Sequence, residues 1–127
     1  KVDGIGTQMH IDIKADKNKI TEMFKLLAAT GKLIKISEMD IGLGGVKTAA
    51  ATQEQYKAQA EMYKFVIDKY FEIVPAAQRY GITLWSPLDS PANSGWRADE
   101  PVGLWNKDYV RKLAYSYVAE VLKANLK

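Results

Sequence analysis

Two short runs carry the side chains best able to do chemistry, Gln8-Met9-His10 and Glu38-Met39-Asp40. Side chains two apart in an extended strand share a face, so Gln8 and His10 project together, and so do Glu38 and Asp40. On neighbouring strands they would bring an amide, an imidazole and two carboxyl groups to one place, a set suited to acid–base or nucleophilic work. An acidic strand end that is partly exposed and partly capping a turn has the same spacing, and spacing leaves both readings open. Ile34 and Ile36 share the parity of Glu38. If those two face a core, so does the carboxyl group, which is costly to bury without a partner or a function. His10 is the only histidine; a lone histidine is more often structural than catalytic, but its pairing with Gln8 opposite two acids favours a supporting role.

Trp85 and Trp96, with Arg97 beside the second, form the other candidate group. Each tryptophan reads either as packing or as a flat platform for a sugar ring, which a large rigid surface with a polar N–H would suit. The residues alone do not separate the two. Trp105 is read as packing. Other chemistries find no support: Gly42-Leu43-Gly44-Gly45 lacks the Gly-Lys-Ser/Thr ending of a phosphate cradle, and nothing marks a nucleophile elbow. With one histidine, scattered acids and no cysteine, no metal site or cofactor is expected.

The elements that must position these residues follow from periodicity. Val2 to Ile11 reads as a glycine-punctuated strand, and Ile20, Met23, Phe24, Leu27 and Ala28 share one face of a helix that stops at Gly31. Leu33 to Ile41 reads as a second strand whose apolar character gives way to acids. After a Gly/Ala-rich loop, Thr52 and Gln55 form a capping box that opens a long helix, with Tyr56, Ala60, Tyr63, Ile67, Tyr70 and Phe71 on one side, broken by Pro75. Pro75 to Tyr80 adds one further turn. Gly81 to Ser86 is a third strand, Pro87 to Leu104 an irregular stretch, and Tyr109 to Asn125 a terminal amphipathic helix. Strand–helix alternation implies an α/β architecture with parallel strands and right-handed crossovers. Three such strands leave two open edges, so the sheet is expected to be incomplete.

Composition bounds the partners. Of 127 residues 47% are hydrophobic, which suits one folded unit, and 18 Lys plus Arg against 15 Asp plus Glu give a net charge of +3 spread along the chain. That is no nucleic-acid footprint. No apolar run approaches the roughly 18 residues of a membrane span. The chain opens on Lys1-Val2-Asp3-Gly4 rather than on a methionine and an apolar leader, and is expected to be cut from something longer.

Three motifs together resemble one family. Asp3-Gly4-Ile5-Gly6-Thr7-Gln8-Met9-His10, then Ile36-Ser37-Glu38-Met39-Asp40-Ile41, then Ile82-Thr83-Leu84-Trp85 with Ser94-Gly95-Trp96-Arg97, are similar in order and spacing to strands six, seven and eight of the family-10 glycoside hydrolases, the endo-1,4-β-xylanases. Gly103-Leu104-Trp105 through Lys112-Leu113-Ala114-Tyr115 resembles the family's closing segment. Ser37, Met39 and Ser86 stand where the family more commonly has Thr, Leu and Gly. The resemblance implies that residues 1–127 are a single fragment, the C-terminal three βα units of a (β/α)₈ TIM barrel, and that the whole enzyme is a retaining glycosidase exported to meet its polymer. It implies Glu38 as nucleophile, His10 as the histidine bonded to it, Asp40 as the acid orienting that histidine, and Gln8, Trp85 and Trp96 as lining the sugar subsites, with Arg97 a weaker candidate.

What the resemblance also implies is a missing half. A retaining glycosidase needs two carboxyl groups roughly 5–5.5 Å apart, and the family's acid/base glutamate follows an asparagine on the fourth strand, a dipeptide this sequence does not contain. The expectation is therefore a xylan-binding fragment that needs the N-terminal part of its barrel and is inactive alone. Two rivals stand beside it: a non-catalytic carbohydrate-binding module using Trp85 and Trp96, and a structural piece that self-associates or swaps elements through its open sheet edges.

Overall fold

The computed structural model describes residues 1–126. Three strands, β1 (Gly4–Asp12), β2 (Leu33–Gly42) and β3 (Arg79–Ile82), form a parallel sheet in the order β1-β2-β3, alternating with helices α1 (Lys17–Ala29), α2 (Gln53–Ile73) and α3 (Leu113–Asn125). The expected α/β alternation with parallel strands is what the chain adopts. Among the described residues no helix is long and apolar enough to cross a membrane.

Local chemistry explains the element ends. The carboxylate of Asp16 accepts hydrogen bonds from the backbone N–H groups of Asn18 and Lys19 at the start of α1, and Gly31, at φ 70°, turns the chain out of it. Thr52 and Gln55 make the reciprocal capping box, Gln55 N–H to Thr52 Oγ1 at 3.2 Å and Thr52 N–H to Gln55 Oε1 at 2.9 Å. Pro75 ends the pattern of α2, and a single 3₁₀ turn follows at Ala76–Gln78.

Several boundaries differ from the periodic reading: the first strand starts at Gly4 instead of Val2 and the third ends at Ile82 instead of Ser86. The ladder to β3 starts at Arg79 instead of Gly81, because Arg79 folds back to donate to the carbonyls of Phe71 and Val74 and Gln78 donates to those of Ala28 and Lys32. The terminal helix begins at Leu113 instead of Tyr109. Asn106 Oδ1 accepts from the backbone N–H of Asp108 and Val110, and Tyr109 sits at φ 61°, so that stretch is a tight turn that no helix can include.

All three helices cover the same side of the sheet. Phe24 of α1, Tyr63 and Tyr70 of α2 and Val118 and Val121 of α3 share one buried cluster with Met9, Ile34, Ile36, Met39 and Ile41 of the strands. The opposite side carries Gly4, Gly6, Gln8 and His10 of β1 and Leu33, Lys35, Glu38 and Asp40 of β2. A segment after β3 that runs out to α3 is tied down by a buried ion pair, Asp89 Oδ1 to Lys112 Nζ at 2.7 Å, with the Lys112 ammonium also donating to the carbonyls of Pro101 and Gly103. Burial pushes the Asp89 carboxyl up from its ordinary pKa against the pull of Lys112, and burial pushes the Lys112 ammonium down.

Candidate active site

The register between β1 and β2 decides which side chains meet. Ile34 and Ile36 are buried in the helix-covered core, and so are Met39 and Ile41. A regular strand cannot place residues 36 and 39 on one face. The pairing shows why this one does: Thr7 lies opposite Ile36, the next residue Gln8 lies opposite Glu38, and Ser37 is an extra residue, a bulge. The expectation that Glu38 shares the buried face of Ile34 and Ile36 is therefore corrected. The bulge turns Glu38 and Asp40 onto the open face beside Gln8 and His10.

On that face the imidazole of His10 bridges the two acids. Its Nε2 lies 2.8 Å from Glu38 Oε2 and its Nδ1 3.1 Å from Asp40 Oδ1. A ring with a proton on each nitrogen satisfies both contacts, whereas one with a single proton satisfies one of them. Glu38 keeps some exposure and its Oε1 makes no hydrogen bond among the described residues. Asp40 is 0% exposed and is the hub. Besides His10, it accepts the indole N–H of Trp96 at Oδ2, 2.6 Å, and Arg97 Nη1 at Oδ1, 3.2 Å. The same Nη1 donates to the carbonyl of Ile11 at 2.9 Å.

The loop that delivers Trp96 and Arg97 is shaped for it. Arg97 has φ 46° and Asp99 φ 64°, both in the left-handed region that non-glycine residues seldom occupy. Thr48 donates its N–H and its hydroxyl to the Asp99 carbonyl, pinning the turn to the segment after β2. Gly42 leaves the room the guanidinium needs, since a Cβ there would fall 3.0 Å from Arg97 Nη1. Trp85 arrives from the end of β3, where Thr83 N–H and Trp85 N–H bond the carbonyls of Ile36 and Met39, each at 2.9 Å. Three residues of β2 are matched there by two, the bulge again, and the regular ladder stops at Ile82.

The two tryptophans flank the histidine and stay open to a ligand. The Trp96 ring is 4.8 Å from that of His10 and the Trp85 ring 6.5 Å, both edge-on, yet Trp85 is 47% and Trp96 44% exposed. Both rings also line a groove of about 580 Å³ that runs along the loop after β3 past Leu88 and Pro91 to Lys107 and Tyr109; Gln8, His10 and Glu38 lie outside its lining. Gln8 is exposed beside Glu38 in the register. Trp105, by contrast, packs against Tyr115 at 4.9 Å. Among the described residues no group of acids and histidine is arranged to hold a metal ion.

Sequence reasoning missed a support behind the site. Gln59 Nε2 donates to the carbonyls of Ile41 and Pro101, and Tyr63 sits between Ile41 N–H, 3.3 Å from its oxygen, and the Val102 carbonyl, 2.6 Å. Both side chains are buried, and they join the residue after Asp40 to the segment after Arg97. The signal was an amide inside the apolar stripe of α2. Tyr63→Phe leaves Ile41 N–H and the Val102 carbonyl without that partner and is expected to lower unfolding stability by about 1–3 kcal/mol, read from the urea midpoint at unchanged slope. A variant within about 0.3 kcal/mol of the parent would show that the hydroxyl carries none of this.

Known proteins share the sequence pattern and the fold. The family model of glycosyl hydrolase family 10 matches residues 1–121. The chain is 30% identical over 142 residues to endo-1,4-beta-xylanase A of Cellvibrio japonicus, an alignment covering 95% of this chain and 23% of that protein. Its backbone superposes on a mutant of xylanase 10C from Cellvibrio japonicus in complex with xylopentaose with a TM-score of 0.83, at 26% identity, over 98% of this chain and 28% of that one. A thermostable xylanase mutant from the same organism gives 0.81 at 28% identity, covering 95% and 40%. The chain thus spans well under half the length of each of these relatives.

Proposed function

The chain belongs to glycosyl hydrolase family 10, and on that footing we propose that it is the C-terminal part of a retaining endo-1,4-β-xylanase in which Glu38 is the nucleophile. The observation that supports this best is the 2.8 Å contact of His10 Nε2 with Glu38 Oε2 on the open face, between two exposed tryptophans. Glu38 Oε1 attacks the anomeric carbon of a xylosyl unit. The carbon–oxygen bond to the leaving sugar breaks and a glycosyl ester forms. A general acid outside these 127 residues protonates the leaving oxygen, then takes a proton from the water that attacks the same carbon and frees Glu38. His10 fixes one carboxylate oxygen so that the other points at the sugar, Asp40 fixes His10, and Arg97 with the Trp96 N–H fixes Asp40. Trp85, Trp96 and Gln8 hold the sugar. The substrate is a polymer too large to import, which supports an exported enzyme.

A mechanism-based reagent tests this. An activated 2-deoxy-2-fluoro xylobioside slows hydrolysis of the ester, so the complete barrel enzyme is expected to gain the mass of one 2-deoxy-2-fluoroxylobiosyl group on the peptide holding Glu38, the activated aglycone having left. The 127-residue chain by itself is expected to release no xylose or xylobiose from xylohexaose. A label on another carboxylate would remove Glu38 from the role, and turnover by the isolated chain would show that the general acid is not missing.

A further inference from the structure

We infer that the space Gly6 leaves beside Ser37 is a positioning device that admits the β2 bulge and thereby aims Glu38, an inference that rests on the nucleophile role proposed above. β1 runs without interruption, with Ile5, Met9 and Ile11 all packed toward the helices. β2 switches phase: Ile34 and Ile36 lie in the core before Ser37, Met39 and Ile41 after it. Were β2 regular through this point, residues 38 and 40 would follow Ile36 into the apolar core and residues 37, 39 and 41 would face the open side. One inserted residue is thus the difference between a carboxylate against His10 and a carboxylate against the helices.

What keeps the extra residue in place is space on β1. An ideal Cβ built on Gly6 falls 3.0 Å from both Cβ and Oγ of Ser37, closer than such atoms normally approach. The glycine is not there for its backbone, since it is absent from the positive-φ glycines, which are Gly31, Gly44, Gly45 and Gly81. Ser37 Oγ makes no hydrogen bond among the described residues, so the serine fills the site by volume. The bulge therefore sits in a notch that only the smallest residue leaves open, and any side chain at position 6 presses on the residue immediately before the nucleophile.

The test is a rescue experiment in the complete barrel enzyme. Gly6→Ala is expected to lower kcat on a xylo-oligosaccharide about ten-fold or more, because a displacement of a few tenths of an ångström at a nucleophile spoils the attack geometry. KM should stay within about two-fold, as Trp85 and Trp96 are untouched. Adding Ser37→Gly removes the pressed atoms and should bring kcat back to within about three-fold of the parent. If Gly6→Ala accumulates poorly, the double variant still reads the contact, since folded protein and kcat should return together. Full activity in Gly6→Ala, or a loss that Ser37→Gly does not repair, would overturn the inference. Glu38→Ala run alongside separates the two failures: activity retained there sinks the nucleophile reading itself, whereas an inactive Glu38→Ala beside an indifferent Gly6→Ala sinks only the positioning role.

Discussion

Glu38→Ala in the complete barrel is expected to reduce kcat on xylan by on the order of 10⁵-fold, about 7 kcal/mol of lost transition-state stabilisation. The size follows from the step removed. Without the carboxylate there is no atom to form the glycosyl ester, and what remains is binding by the tryptophan platform and the displaced water. KM should change little, because Glu38 lies at one wall of a site whose flat surfaces are Trp85 and Trp96. The variant should also fold, since Glu38 is only partly buried and its one side-chain partner among the described residues, His10, keeps Asp40. A structural role would produce the same loss, so a second readout is needed. With an activated xyloside and added azide, the gap left by the side chain should admit the anion to the face Glu38 attacked, and the product should be the azide of inverted configuration. Loss without azide rescue in a folded variant, or kcat within ten-fold of the parent, would end the assignment.

The parts of this site that were legible in the sequence, and the part that was not, separate along a physical line. Residue types at fixed spacing carried the two pairs, Gln8 with His10 and Glu38 with Asp40, because strand parity is local. Cap chemistry at Thr52 and Gln55, the stop at Gly31 and the apolar stripes of α1 and α2 are local as well. The face on which Glu38 lies is not, since it depends on how β2 pairs with β1, and reasoning from Ile34 and Ile36 reached the wrong side. The correcting signal was present: apolar residues at 34 and 36 and again at 39 and 41 break a two-residue period once, at Ser37. The meeting of Arg97 and Trp96 with Asp40, 57 and 56 residues apart, had no such trace. Neither had the start of β3, set by Arg79 folding back onto the end of α2. Long-range hydrogen bonds among polar side chains leave no periodicity to read.

Asp40 carries the largest stability prediction, and its surroundings explain why. Three donors converge on a carboxylate with no exposure: His10 Nδ1 at 3.1 Å, Trp96 Nε1 at 2.6 Å and Arg97 Nη1 at 3.2 Å. Asp40→Asn keeps the shape but replaces one acceptor oxygen with an NH₂ group. Whichever way the amide turns, that group faces a donor, either the Trp96 indole at Oδ2 or His10 and Arg97 at Oδ1. The guanidinium of Arg97 also loses its only carboxylate among the described residues, keeping the Ile11 carbonyl. Breaking one side of a buried ion pair costs about 3–5 kcal/mol, far more than the about 0.5 kcal/mol of an exposed pair such as Lys64 with Asp68. Removing both charges should cost less than the sum of the parts, so Asp40→Asn with Arg97→Met is expected to show a coupling of about 2 kcal/mol in a double-mutant cycle on the denaturant midpoint. Catalysis should fall with stability but not in step with it, since Glu38 keeps its contact with His10 while the ring loses the anchor that fixes its angle. An Asp40→Asn variant unfolding within about 1 kcal/mol of the parent, or an additive cycle, would mean that the three contacts are incidental and that the loop bearing Trp96 and Arg97 is held by its other ties, those of Thr48, Gln59 and Tyr63 and the Asp89–Lys112 pair.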